Sequence, residues 1–443
     1  MALQPRLSVD GIELNREFRN VLSIIEGSND NLFLTGRAGA GKSTLLAYLK
    51  SITSKRIAIL APTGVAALNV GGQTIHSFCR FKPDITPEKV EKLSGVSFAT
   101  VNMYKNLDVI VIDEISMVRA DLLDCLDRFM RLNGRDPETP FGGAQMVFVG
   151  DLYQLPPVVS GDEEEIFAGH YKTPYFFSSR VFSGMEMKFV ELKSYYRHSD
   201  PKFIDLLNSI RDGAASEGDL ELINTRYDAS SVLPSASLLY ITLTATNSTA
   251  DNINNIHLGE IRATRYSYRA AITGKFRKGA YPADEVLYLK EGAQVMMLNN
   301  DSKKRWVNGS LGRVLSIEKG IEEGAITVQL EDGSRVQVSP HTWETSKLSY
   351  DNVGKKLVST GTGSFTQYPL MLAWAVTIHK SQGKTFDHVV IDIGEGTFAH
   401  GQLYVALSRC TSLEGIVLKK RLQMRHIITD IRIAEFHKAH FQA

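Results

Sequence analysis

Net charge is almost absent from this chain: 50 lysines and arginines stand against 49 aspartates and glutamates, leaving +1 over 443 residues. Composition therefore gives no sign of a polyanionic partner, and a nucleic acid would have to be held in a locally basic groove on an otherwise acidic surface. Cysteine is scarce. Cys79, Cys125 and Cys410 are too far apart for metal-ligand spacing or a paired framework, which fits a reducing compartment. Long apolar runs are missing too. No stretch approaches the length that crosses a bilayer, and the opening MALQPRLSVDGIEL has no continuous apolar core after a basic start, so an intracellular chain without membrane attachment is expected. Hydrophobic residues at 43% and charged residues at 22% exclude a disordered or fibrous chain, and the length suits about three compact units.

What is present alternates. NLFLTG (31 to 36), RIAILAP (56 to 62), LDVIVIDE (107 to 114) and QMVFVGD (145 to 151) are short apolar runs ending in polar or turn residues, the pattern of buried parallel strands. STLLAYLKSI (43 to 52) and ADLLDCLDRFMRL (120 to 132) have helical spacing between them, which makes the first half a doubly wound α/β layer. Residues 82 to 106 break the alternation with a polar, helical insertion. A second α/β half starts near Lys193, with strands expected in SLLYITLTATN (237 to 247), GAQVMMLNN (292 to 300) and HVVIDIG (388 to 394) and a helix over 248 to 262. From Trp306 to about Thr366 the text turns to short alternating runs, with Asp332-Gly333 as a hairpin turn, which predicts a small inserted β-barrel. The tail, 426 to 441, has helical periodicity and is expected to pack on the second half. The units are then 1 to 190, 191 to 300 with 367 to 443, and the insertion 301 to 366.

TGRAGAGKST (35 to 44) carries the strongest chemistry, because Gly36, Gly41, Lys42 and Ser43 satisfy the P-loop pattern between a strand and a helix. Glycines let successive backbone N–H groups of Ala38, Gly39, Ala40 and Gly41 through Thr44 curl around phosphate oxygens. The following helix N-terminus adds a positive dipole, Lys42 reaches the outer phosphates, and Ser43 offers a hydroxyl to Mg²⁺. VIVIDEISM (109 to 117) delivers two adjacent carboxylates at a strand's C-terminal end. Asp113 is placed to hold the metal ion and Glu114 to polarise the attacking water as general base. VGDLYQLPPV (149 to 158) ends another strand with Asp151 and Gln154, the glutamine a candidate for contacting the γ-phosphate or its water. Arg197 in YYRHS and Arg409 in LYVALSRC are candidate arginine fingers from the second half, since such a group is worth roughly 10³ to 10⁵ in rate. An isolated arginine is more often a surface charge, as Gln154 alone would be a loop amide.

The ordered set GRAGAGKST, APTGVAALN (61 to 69), GGQTIHSF (71 to 78), IDEISM, PFGGAQMVFVGDLYQLPPV (140 to 158), YYRHS, WVNGSLGRV (306 to 314), AWAVTIHKSQGKTFD (373 to 387) and YVALSRC resembles the PIF (petite integration frequency) DNA helicases. These are relatives of RecD in the 5′-to-3′ branch of helicase superfamily one. The resemblance spans nearly the whole chain, and DLLDCLDRFMRLNGRDPETPFGG (121 to 143) resembles the family's signature segment. It implies two RecA-like domains, the first with a small insertion and the second with an SH3-like barrel, hydrolysing ATP with Mg²⁺ while moving on single-stranded DNA. It implies DNA contacts at Pro62, Thr63, Gly64, Thr74, His76, Ser77 and Phe78 in the first half. In the second, Asn308 and Gly309 fall at the barrel entrance and His379, Lys380 and Ser381 on the strand-gripping motif, which Gln382 and Gly383 complete beside the nucleotide. Backbone amides and hydroxyls suit phosphates, and an aromatic platform suits a base, although core packing is the commoner fate of a residue such as Phe78. The insertion at 82 to 106 is the candidate strand-splitting wedge. Phe18 stands where many relatives carry an adenine-reading glutamine, which leaves Gln4 as the substitute reader. The expected partners are single-stranded, forked or structured DNA; in the absence of DNA a monomer is expected, inside the cell and, if the chain is bacterial, in the cytoplasm or nucleoid. Two other readings stay open at this level: an ATP-gated nucleic-acid-binding remodeller that separates no strands, and a RecD-type subunit of a larger complex.

Overall fold

The computed structural model describes residues 14–82, 84–159, 167, 169–194, 200–228, 238–276, 278–318, 324–351, 354, 356–394, 396–397 and 399–441. Its first half is built on six parallel strands: β1 (Asn31–Gly36), β2 (Ile57–Ala61), β3 (Gln73–Thr74), β4 (Val109–Ile112), β5 (Gln145–Val149) and β6 (Met187–Leu192), in the order β3-β2-β4-β5-β1-β6. Both faces of this sheet are covered, and the period-2 geometry of a strand sorts its side chains between two cores. Leu32, Leu34, Val109 and Val111 face one cluster with Leu45, Leu46 and Leu49 of the helix Lys42–Ile52. Phe33, Ile110 and Ile112 face the other, with Leu123, Leu126, Phe129 and Met130 from the helix Ala120–Asn133. An unbroken apolar strand is what burial on two faces requires. The consequence for function is positional: β1, β2, β4 and β5 all end at the same edge, where their loops can share a ligand.

The second half has a smaller parallel sheet, ordered Ala375–Thr377, Ile241–Thr244, Val389–Asp392, Ile416–Leu418. The helix Asn247–Glu260 follows its Ile241–Thr244 strand. Between that helix and Ala375 the chain builds three antiparallel sheets, the largest ordered Arg335–Val338, Ile326–Leu330, Leu311–Ile317, Gln294–Met297, Leu370–Leu372. Gln294–Met297 is thus not a strand of the second α/β half, as its apolar run suggested. It lies inside the antiparallel sheet with Val295 and Met297 in one core and Met296 in another. Two-sided burial produces the same run in either setting, so the run alone does not choose the sheet. The Asp332-Gly333 turn sits between Ile326–Leu330 and Arg335–Val338, with Gly333 at φ +83° and the Ser334 amide donating to the Asp332 carboxylate at 2.9 Å. The strands His341–Asp351 and Lys356–Gln367 form a long hairpin that reaches the helix Phe98–Lys105 of the 82 to 106 insertion.

The tail helix, Ile431–Phe441, departs from the sequence reading in its partner. It packs against β6 of the first half, where Phe436 lies among Phe33, Phe176, Phe177 and Phe189 and stacks on Phe177 at 4.5 Å. Aromatic side chains bury more area per residue than any aliphatic, and the ring-walled edge of β6 offers that burial. No helix among the described residues is long and apolar enough to cross a membrane.

Candidate active site

The P-loop forms because β1 must turn into a helix within a few residues. Gly39 and Gly41 take φ of +80° and +90°, left-handed values that side chains resist. Gly41 caps the helix Lys42–Ile52 without a side chain, which leaves the helix's first N–H groups open. Ser43 and Thr44 are exposed at that end, while Ala38 and Ala40 are buried beneath it. Lys42 is half-buried and donates to the carbonyls of Gly36 (2.6 Å) and Arg37 (3.1 Å). Desolvation pushes its ammonium down, against the opposing pull of Asp151, Glu114 and Asp113.

Asp113 and Glu114 follow β4, Asp113 buried and Glu114 in the left-handed region at φ +52°. Such backbone costs of order 1 kcal/mol or more in a non-glycine residue and turns adjacent side chains in different directions. Burial, then the Glu114 charge, holds the Asp113 carboxyl above its usual range; burial does the same to Glu114, against Lys42 and Arg409. The pair therefore resists carrying two negative charges unless a cation joins it. Their neighbour Asp151 behaves oppositely. Although fully buried, it is held below the usual carboxylate range, because the charges of Arg211 and Lys42 and the bonds from Gln154 and Tyr153 outweigh desolvation.

Asp151 is where the halves meet. Its Oδ2 accepts from Gln154 Nε2 at 3.2 Å and from the Tyr404 hydroxyl at 3.3 Å, and its Oδ1 from the Tyr153 amide at 3.2 Å. Arg211 Nη2 of the second half stands 3.5 Å from Oδ1, with its guanidinium 3.9 Å over the Tyr153 ring. Tyr404 also accepts the Ala38 amide at 3.1 Å, so one hydroxyl ties the P-loop to the Asp151 loop. His400 takes the Asp430 amide on Nδ1 (2.8 Å), which leaves Nε2–H to donate to Leu152 O at 3.1 Å. Gly401 lies so close that a Cβ there would meet Tyr153 O at 2.2 Å and Gln154 O at 2.7 Å. Arg211, His400, Gly401 and Tyr404 were not singled out in the sequence. The only available signal was the dense text around LYVALSRC, since a lone arginine at a helix end has no pattern of its own.

Arg409 stands close enough to the nucleotide site for its charge to bear on Glu114 of the first half. It is 1% exposed and donates to Val405 O (2.9 Å), Ser381 O (3.4 Å), Lys384 O (3.3 Å) and Ser408 Oγ (2.8 Å), all of its own half. A buried guanidinium satisfies its donors with the carbonyls nearest to it, here those of Val405 and of the turn 381–384. Arg197 and Gln4 lie outside the described residues. Gly383 is an exposed turn residue at φ +75° in that same loop.

Farther along the same sheet edge, beyond β4, Thr63 and Thr74 cap the short helices Gly64–Asn69 and Ile75–Cys79, accepting the amides of Ala66 (3.2 Å) and Ser77 (3.1 Å). Pro62, Gly64 and His76 are half-exposed and Ser77 exposed beside them. Phe78 must be corrected: it is 2% exposed, packs edge-on to Tyr104 at 5.2 Å, and offers no face to a base. Ser381 is corrected likewise, because its fully buried hydroxyl donates to Ile378 O at 2.7 Å. Lys380 is exposed, and His379 is half-buried with its pKa lowered by desolvation. Asn308 donates to Asn69 Oδ1 across the cleft at 3.1 Å, and Gly309 follows it at φ +101°.

A P-loop, an Asp-Glu strand end and a buried Asp151–Gln154 loop, closed by a second RecA-like half, define a P-loop nucleotide-driven motor protein. Residues 13–221 match the PIF1-like helicase family and residues 372–413 the UvrD-like helicase C-terminal domain. The ATP-dependent DNA helicase Pif1 of Bdellovibrio bacteriovorus is 33% identical, with 98% of this chain and 93% of that protein aligned. The ATP-dependent DNA helicase PIF1 of Emericella nidulans is 31% identical over 98% of this chain, which spans 64% of its length. Among solved structures, Bacteroides sp. Pif1 in complex with ADP-AlF4 superposes with TM-score 0.88 at 38% identity, covering 97% of this chain and 98% of that one. Bacteroides Pif1 bound to ssDNA, at the same 38% identity and 97% coverage of each chain, gives 0.70. The chain belongs to the PIF1-like helicase family and is an ATP-dependent DNA helicase.

Proposed function

We propose that this helicase moves 5′-to-3′ along single-stranded DNA and parts the duplex ahead of it, one closure of the cleft accompanying each ATP hydrolysed. The observation that carries this reading is the meeting at Asp151: first-half Gln154 and second-half Arg211 and Tyr404 converge on one buried carboxylate. A change at the phosphates thereby reaches both halves. Lys42 and the amides of Gly36 through Thr44 hold the triphosphate, Glu114 takes a proton from the attacking water, and Gln154 orients that water. Ser43 and Asp113 supply oxygen donors of the kind Mg²⁺ prefers. Ser43 and Asp113 would hold the ion, which needs few protein oxygens because it dehydrates reluctantly. Bound there, Mg²⁺ would neutralise phosphate charge, and a cation beside Asp113 answers the repulsion noted above. Arg197 would add a second-half cation at the γ-phosphate.

Farther along the cleft, Thr63, Thr74, Ser77 and Asn308 with Lys380 and His379 take the strand's phosphates. The helix Phe98–Lys105, with Phe98 71% exposed, serves as the wedge. A chain that is monomeric in the absence of DNA and acts on forked DNA where the cell keeps its chromosome completes the reading. ATP-dependent unwinding of a duplex with a 5′ single-stranded tail, compared with a 3′ tail and with Glu114→Gln as control, tests it. Displacement only from the 5′ tail, lost in the variant, is expected. Hydrolysis stimulated by DNA without displacement of either duplex would replace the motor with an ATP-gated remodeller.

A further inference from the structure

Lys384 is a buried cation with no counter-ion among the described residues. It is only 8% exposed, and its Nζ donates to a neutral acceptor, Asn308 Oδ1, at 2.5 Å. Its aliphatic stem lies on Gly309, where an added Cβ would come within 3.4 Å of Lys384 Cβ and Cγ. Asn308 is held in turn. Its amide donates to Asn300 Oδ1 at 2.8 Å, and its Nδ2 to Asn69 Oδ1 of the first half at 3.1 Å. The series Lys384, Asn308, Asn69 thus crosses the cleft on the face that carries Thr63 and Lys380. At its other end, the Lys384 carbonyl accepts Arg409 Nη1 at 3.3 Å.

Burying an ammonium against an amide costs free energy that only an anion restores. Burial alone holds the Lys384 pKa down at about 8. Asn69 is exposed and Asn308 half-exposed, so a strand lying along this face meets the asparagine pair first. Parting that pair uncovers Nζ.

We propose that Lys384 is a phosphate-binding residue of the DNA path, screened by Asn308 and Asn69 and exposed to a backbone phosphate when the strand separates them. The proposal rests on reading this face as the DNA-binding one. It extends that reading to a lysine whose main chain also anchors Arg409, so that the two sites share one residue.

Fluorescence anisotropy of a labelled single-stranded oligonucleotide with the full chain tests it. For Lys384→Met, affinity falls several-fold at low salt. One lost phosphate contact also removes about 0.7 from the salt slope, so the ratio of wild-type to variant affinity shrinks roughly 2.6-fold between about 50 and 200 mM salt. Lys384→Arg retains the slope. The Met variant melts no lower than wild type, because an isosteric apolar side chain relieves the desolvation cost; this separates lost binding from lost fold. An unchanged slope in Lys384→Met, or a lower melting temperature with affinity lost equally at every salt concentration, overturns the proposal. Lys380→Ala and Thr63→Ala run alongside. If they weaken binding while Lys384→Met does not, Lys384 alone is misassigned; if none of the three matters, the DNA face falls, and the proposal with it.

Discussion

On the nucleotide side of the cleft, Asp151 is reached at once by Gln154, Tyr153, Tyr404 and Arg211, with His400 and Gly401 pressed on the same loop. On the side proposed to carry DNA, the halves touch through Asn69 with Asn308, and through Ala280 packed on Gly64, where a Cβ would come within 2.9 Å. The first contact set is buried and charged, the second neutral and partly wet. Charges that are dehydrated together hold position strongly, because separating them leaves each unpaired in low dielectric. Neutral amides at a surface exchange for water at little cost. One side is therefore built to register small changes, the other to open.

Four changes sharpen or break this contrast. Glu114→Gln has the largest expected effect: removal of a general base lowers turnover by roughly 10² to 10⁴-fold. ATP affinity, read with a fluorescent nucleotide, should hold, since the lost group acts only on the attacking water. Phe78→Ala comes next, with a cavity beside Tyr104 that costs about 3 to 5 kcal/mol by urea denaturation. A large loss of ssDNA affinity in folded Phe78→Ala would restore the base platform and weaken the contrast. Arg211→Ala strands buried Asp151 and should destabilise by about 3 kcal/mol, whereas Arg211→Met combined with Asp151→Asn should recover much of it. Additive losses would mean that the pair does not couple the halves. The smallest effect falls on pH dependence. The folded Lys384 pKa, near 8, lies below the unfolded 10.5, so between those values the unfolded chain binds the extra proton and stability rises with pH. Below that window both forms are charged and the penalty is constant. The gap in melting temperature between wild type and Lys384→Met should therefore narrow from pH 8 to pH 10, and a constant gap would mean that the amine is not desolvated.

What could be read from the sequence followed the same division. The P-loop and the Asp113-Glu114 strand end were legible because phosphate and metal chemistry demand fixed residue types at contiguous spacing, set by one strand and one turn. Arg211 was not, because its role depends on a helix end meeting Asp151 from the other half, a distance of 60 positions that no local pattern encodes. Thr63 and Thr74 were expected as DNA contacts, and what the structure shows of their hydroxyls is the capping of two short helices, a use that any threonine before a helix could have. Phe78 sits in a five-residue helix and Ser381 in a turn, each beside an exposed residue of the same motif, and segments this short have too little periodicity to say which side chain turns in. The strand Gln294–Met297 and the tail helix were each recognised as elements and assigned to the wrong partner, since local pattern fixes what a segment forms and leaves open what it packs on.

The tail helix gives that last point mechanical weight. Its sequence continues the second half, but Phe436 is seated in the ring cluster at the edge of β6, His437 pairs with Glu191 at 3.5 Å, and the His437 ring lies 5.7 Å from Tyr153, directly under Arg211. A segment that the chain reaches only by way of the second half thus completes the aromatic core of the first, one ring away from the tyrosine that carries Arg211, so the halves are joined beside the nucleotide cleft by covalent continuity as well as by contact.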